Sequence, residues 1–517
     1  MAWQPDQVKL EQIGQLLTAC VDVGNHAVHM QALNMLEEGK KQYPDFGCYL
    51  LVVFCRMPGA SPHLRHLAGI ELKNAIKDRF MKEPELSYVR AEITSALGDP
   101  EGQYRRTAAQ IVTTICGRYD IVPPDQKPLA QWQGLLPGLL QMLDSGSETH
   151  VEGALSTLRL LFEDHTDQLC RSQELADVLQ ALVAKFISFF AAPSPRVRAD
   201  AIYCIRMLIL PMPNALVVNL NTFLQGILAL AKDPSSEVRK EICIALCLLA
   251  ACKADFMADP TICSFVIEFL LWTTEHDEDY DVKKEACEFW QTVCDNDDIP
   301  PGVLKPYLSR LTLVLLNGMV YSEDELNALQ EEEEKCALQD TNPALLRGKT
   351  KGTVEEEDDE EDDEDGDSQQ WTLRKCSALG LDVISNHYKD EILDALLPHI
   401  HEKLSHSDWK VQESAVLAMG ALAEGCEEGL KSLNYLHSFI NHLITAILPC
   451  QHPLLRSITC WTLSRYANFI AAAPDGPGPL LPQMVMGQFP SLLARAHTHT
   501  YTIKSIKLYC TLICSCM

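Results

Sequence analysis

Apolar residues recur three and four positions apart along most of this chain, and strand-like alternation is nearly absent. In 61–80 the stripe is Leu64, Leu67, Ala68, Leu72, Ala75, Ile76 and Phe80. In 216–231 it is Leu216, Leu220, Phe223, Leu224, Ile227 and Leu230, and in 238–249 it is Val238, Ile242, Ala245, Leu246 and Leu249. The helices come in pairs, and a short ruler marks the start of most second helices. A polar or Pro-containing turn is followed by an apolar residue and a base: SPHLR to Arg65, DPEGQYR to Arg105, SPRVR to Arg198, DPSSEVR to Arg239, DYDVK to Lys283 and HPLLR to Arg456. A weaker copy, SDWKVQ, ends at Gln412. Successive copies lie 40, 41 or 44 residues apart where no copy is missing.

A period near 40–47 built from helix pairs is the sequence sign of HEAT or armadillo repeats. One pair cannot bury its apolar stripe alone, but stacked pairs can, so the fold expected is an all-α right-handed superhelical solenoid with a concave binding surface. About ten pairs are predicted through residue 473, with second helices starting near 25, 61, 101, 147, 195, 235, 279, 371, 408 and 452. The Asp or Ser of each turn is expected to cap the second helix, with Pro tolerated in its first turn.

One pair is split. A first helix at 303–319 leads to a second near 371–388, and between them lies 320–370. Composition matters here. The chain has 517 residues and a formal charge of −28, and residues 323–367 alone hold 20 acids against 4 bases. The remainder is only mildly acidic. The densest acid is Glu355, Glu356, Glu357, Asp358, Asp359, Glu360, Glu361, Asp362, Asp363, Glu364, Asp365 and Asp367. Such like-charge density self-repels, so 320–370 is expected to be a disordered loop. It is either a solubilising insert or an internal mimic of an acidic ligand that competes for basic ones. A polyanion repels phosphate backbones, so direct nucleic-acid binding is not expected. The longest apolar run, Ile242–Cys252, is too short for a membrane span, and the start of the chain has no secretory pattern. The 20 cysteines are mostly scattered within apolar stretches, as at Cys204, Cys243, Cys247 and Cys287, and read as reduced buried thiols.

No catalytic, cofactor or metal constellation stands up. Gly348-Lys349-Thr350 lacks the first glycine and the strand of a phosphate loop. Cys510, Cys514 and Cys516 with His497 and His499 fit no closed zinc site. Cys514–Met517 matches a prenylation box only formally, since its two middle positions are not aliphatic. The chain is therefore not expected to be an enzyme. Two helix faces suggest recognition instead. In LRSITCWTLSRYANF, Leu455, Thr462, Tyr466 and Phe469 form an inward stripe, whereas Ile458, Trp461 and Arg465 form a second one. Ala378 and Asp382 lie one turn apart in LRKCSALGLDVI. A Trp one turn from an Arg suits peptide binding; the alternatives are ordinary packing between repeats for Trp461 and a solvated helix face for Asp382.

Several stretches resemble the karyopherin-β2, or transportin, branch of the importin-β nuclear transport receptors. They include YPDFGCYL at 43–50, LAGIELKNAIKDRF at 67–80, NGMVYS at 317–322, WTLRKCSALGLDV at 371–383 and RSITCWTLSRYA at 456–467. The resemblance implies a Ran-GTP-binding arch over 1–319, the acidic loop 320–370 in the eighth repeat, the start of a cargo-binding arch over 371–473, and an atypical tail at 474–517. It implies cargo proteins with basic, Pro-Tyr-type nuclear localisation signals, nucleoporins as further partners, and shuttling between cytoplasm and nucleus. In such receptors Ran binding presses the loop against the cargo site. Carried over residue by residue, the cargo surface falls on Ala378, Leu379, Asp382, Leu417, Ile458, Trp461 and Arg465. The family continues for about as many repeats again, so a C-terminally truncated receptor is expected. The alternative is a non-transporting Ran-binding scaffold or decoy.

Overall fold

A computed structural model describes residues 3–340, apart from 23, 25, 58, 124–126 and 301, together with residues 371–472. Among the described residues every regular element is helical. The chain divides into two compact units, Met1–Cys252 and Lys253–Met517. This division falls well before the 319/320 boundary expected from the acidic insert.

In the first unit the pairs are α1 Gln7–Val21 with α2 His26–Gln42, α3 Phe46–Cys55 with α4 Pro62–Lys77, and α5 Glu85–Glu92 with α6 Gly102–Cys116. Then come α7 Leu135–Asp144 with α8 Glu148–Asp164, α9 Ala176–Ser188 with α10 Pro195–Arg206, and α11 Leu220–Ala229 with α12 Ser236–Cys252. The second unit holds α13 Pro260–His276 with α14 Tyr280–Asp295, and α15 Leu308–Gly318. An extra helix, α16 Glu323–Asp340, follows. Next are α17 Leu373–Tyr388, α18 Leu393–Leu404 with α19 Trp409–Ala421, and α20 Tyr435–His442 with α21 Pro453–Arg465. Every second helix begins within two residues of its predicted start.

Within each unit the second helices stack on one another in chain order. The rows run α4, α6, α8, α10, α12 and then α14, α17, α19, α21. Their inward stripes form the core, including Leu72, Val112, Leu158, Ile202 and Leu246 in the first unit and Trp290, Leu381, Met419 and Leu463 in the second. Burying such stripes against neighbours is what makes each short pair stable.

The ruler does more than cap helices. Ser61, Asp279 and Asp408 accept from backbone N–H groups of the first turns of α4, α14 and α19, as expected. Asp99 and Asp233 shape the turn instead, accepting from Glu101 and Ser235 N–H at 2.9 Å each. Each then receives the ruler arginine of the preceding repeat. Arg65 reaches Asp99 at 2.6 Å, and Arg198 grips Asp233 with two bonds of 2.7 and 2.8 Å. Arg198 also donates to the carbonyls of Ala192 and Pro193 at the end of its own turn. At Arg65 and Arg198 the ruler base is therefore a strut between repeats, whereas Arg456 donates to the Cys450 carbonyl of its own turn. Cys204, Cys243 and Cys287 are buried and Cys247 is half-buried, all as free thiols.

The split pair requires a correction. A disordered loop over all of 320–370 does not hold, because 323–340 is helical. Ser322 and Glu325 form a reciprocal capping box. Ser322 N–H donates to the Glu325 carboxylate at 2.8 Å, and Glu325 N–H donates to Ser322 Oγ at 3.2 Å. Three acids in the first turn also favour the positive end of the helix dipole. The dense acids from Glu355 to Asp367 lie outside the described residues, as do the 474–517 tail and its cysteines.

Candidate functional site

The site starts from helix faces in the second unit. Thr372 caps α17 by accepting from Lys375 N–H. From there Leu373, Cys376, Leu381 and Ile384 face the core, which leaves Lys375, Ala378, Leu379 and Asp382 half-buried on the other side. On α19 the corresponding face carries Glu413, Leu417 and Ala421. On α21 the two stripes separate as the spacing predicts. Leu455, Thr462 and Tyr466 are buried, while Ile458, Trp461 and Arg465 are half-buried. Phe469 is half-buried too, so it does not complete the inward stripe.

These faces meet in one groove of about 560 Å³, a size suited to a peptide segment. All seven positions carried over from the resemblance line it: Ala378, Leu379, Asp382, Leu417, Ile458, Trp461 and Arg465. Their wall is mostly apolar, and one ion pair crosses it. Arg465 donates to Asp382 at 2.8 Å, lies 3.6 Å from Glu424, and donates to the Gly420 carbonyl at 3.2 Å. Its guanidinium carbon sits 5.7 Å from the centre of the Trp461 ring. Burial pushes the Asp382 carboxyl up; Glu424 adds to the rise, and Arg465 only partly offsets it.

Other parts of the site were not foreseen. A methyl group at Gly420 would overlap the Trp461 ring and press on the Thr462 hydroxyl. The missing side chain therefore lets the indole lie on the α19 backbone. Glu413 is completely buried and paired with Arg374, and burial pushes its carboxyl up against the pull of that guanidinium. Arg374 in turn lies 4.1 Å from the centre of the Tyr321 ring, which is 5.9 Å from the Trp409 ring. The insert helix supplies Glu325, Ala328 and Leu329 to the same groove. Three signals were present in the sequence. Ser322 and Glu325 have capping-box spacing, Glu413 sits inside an apolar helical run, and Gly420 interrupts that run.

Among the described residues no group of three or more His, Cys, Asp or Glu is placed to hold a metal. No described helix is long and apolar enough to cross a membrane.

Helix pairs whose second helices stack in chain order, with a peptide-sized groove on those faces in the second unit, define a HEAT-type helical-repeat protein. Comparison with known proteins agrees. Residues 30–99 match the importin-beta N-terminal domain and residues 409–466 a HEAT-like repeat. Transportin-1 of Mus musculus is 37% identical over 489 residues, covering 91% of this chain and 52% of the relative. Importin subunit beta-2 of Schizosaccharomyces pombe is 34% identical over 475 residues, covering 86% and 50%. A solved structure of Kap95p, whose binding brings the switch loops of RanGDP to the GTP-bound conformation, shares the fold with a TM-score of 0.64. It is 16% identical and is matched over 92% of this chain and 52% of its own. The chain is a transportin homologue, of the importin-β2 branch, and spans about half the length of the curated relatives it matches.

Proposed function

We propose that this chain acts as a nuclear import receptor whose groove on α17, α19 and α21 binds extended segments of basic, Pro-Tyr-type nuclear localisation signals. The observation that carries this reading is the convergence on one cavity of seven residues from three separate helices. An indole on a glycine floor offers a flat apolar surface for a ring or a proline. The Asp382–Arg465 pair beside it offers both an acceptor and a donor to a peptide backbone or a cationic side chain. Residues 1–319 bind Ran in its GTP form, nucleoporins are further partners, and the protein shuttles between cytoplasm and nucleus. The importin-beta N-terminal match and the fold shared with Ran-binding Kap95p support this part.

The test is fluorescence anisotropy of the full chain with a labelled synthetic peptide carrying a basic run and a Pro-Tyr pair. Trp461→Ala and Arg465→Ala should each weaken binding by about tenfold or more. Equal affinity for the parent and both variants would contradict the assignment of the groove.

A further inference from the structure

The insert helix α16 is held firmly at its start. Tyr280 on α14 donates its hydroxyl to the Glu325 carboxylate at 3.1 Å and accepts the Leu373 N–H at 3.0 Å. One phenol therefore joins the first turn of α16 to the first turn of α17. Lys410 on α19 binds Glu323 at 2.6 Å, and Trp371 Nε1 donates to Glu288 on α14 at 2.9 Å. With the capping box, the Tyr280 and Lys410 contacts fix the first turn of α16 against α14, α17 and α19, while Trp371 ties the start of α17 to α14.

That anchoring sets which face of α16 looks into the groove. Glu325, Ala328 and Leu329 are three and four residues apart and share one face. The Glu325 carboxylate is used by Ser322 and Tyr280. Ala328 is exposed and Leu329 half-buried, so neither is absorbed into the core. On a helix otherwise rich in carboxylates, these two make an apolar ridge. Asp324 and Glu331, both exposed, lie one turn to either side of Ala328. An apolar ridge edged by acid suits an apolar side chain with cationic neighbours.

We infer that α16 is a wall of the peptide groove, with Ala328 and Leu329 contacting an apolar side chain of the bound basic peptide. The helix then adds affinity instead of competing for the groove. This rests on the peptide-binding reading above, and it assigns a role to ordered chain within a segment whose composition suggests only solubilisation or competition.

The experiment is anisotropy of the full chain with the same basic Pro-Tyr peptide, using variants at Leu329 and one control. Leu329→Ala should weaken binding by about threefold, and Leu329→Asp by about tenfold, because it sets a carboxylate against an apolar contact. Asn327→Asp adds the same charge at an exposed position outside the groove lining and should leave affinity unchanged. Thermal melting of each variant shows that the fold is kept. Unchanged or tighter binding by Leu329→Asp, or equal weakening by Asn327→Asp, would overturn the wall. Trp461→Ala separates the two readings. If it weakens binding while Leu329 variants do not, the groove stands and the wall falls. If it too has no effect, both fall.

Discussion

Two Arg–Asp pairs in this molecule use the same chemistry to opposite ends. In the first unit Arg198 and Asp233 are 10% and 4% exposed, and two bonds join them. Burial alone would raise the Asp233 carboxyl, but the Arg198 guanidinium and the Ser235 N–H outweigh it and hold the group below its ordinary range. In the groove Arg465 and Asp382 are 28% and 27% exposed and meet through one bond. There burial and Glu424 win, and the carboxyl is raised. The first pair is closed, with each partner committed to the other and to nearby backbone. The second is joined by one bond, leaves each partner more than a quarter exposed, and lines the groove. A strut needs the first arrangement, whereas a recognition site needs groups that can still take a ligand.

The largest effect separating the two pairs should be on stability. Asp233→Asn leaves Arg198 buried without its carboxylate and should cost about 3 kcal/mol, read as a lower urea midpoint. Peptide affinity should not change, since Asp233 lies outside the groove. Gly420→Ala comes next. The added methyl must displace the Trp461 ring, costing about 1–2 kcal/mol and weakening the Pro-Tyr peptide by about tenfold. In a Trp461→Ala background the same change should cost little binding, because the indole it displaces is gone. Asp382→Asn should cost less than about 1 kcal/mol of stability, because it removes an ion whose burial was poorly repaid.

The smallest effect is in the pH dependence, where the two aspartates carry opposite signs. Asp233 has a lowered folded pKa. Its contribution is complete above the unfolded value of about 3.9 and is lost as pH falls through the folded value. Asp382 has a raised folded pKa, so its ionisation opposes folding at neutral pH, and that cost disappears as pH falls. If a peptide cation pairs with Asp382, affinity should drop on the same descent. Anisotropy titrations of the parent and Asp382→Asn, from about pH 7 down through the ordinary carboxylate range at about 4, compare the two slopes. Equal slopes would remove Asp382 from the contact.

The same contrast explains what the sequence revealed. The ruler recurs because each second helix starts from a similar turn, so the helix starts from His26 to Pro453 are legible in the sequence. The two stripes of α21 were legible because helical spacing alone separates Leu455 and Thr462 from Ile458 and Trp461. The pairing of Asp382 with Arg465 was not, because it joins helices distant in the chain and follows no local period. Gly420 is hard to read from sequence for a related reason: a glycine in a helix is a weakness until a ring lies on it. The capping box at Ser322 is masked in the sequence because acid density suggests disorder, although the same acids favour a helix start.

The central claim is that the second-helix faces of α17, α19 and α21 form a peptide-binding groove. It is tested most directly by photo-crosslinking. A synthetic basic peptide with benzoylphenylalanine in place of the Pro-Tyr tyrosine is irradiated with the full chain, and the labelled residues are identified by mass spectrometry. Labelling concentrated on groove residues such as Leu417, Ile458 and Trp461, and abolished by excess unlabelled Pro-Tyr peptide, is the result predicted. Competable labelling confined to other parts of the chain would contradict the account.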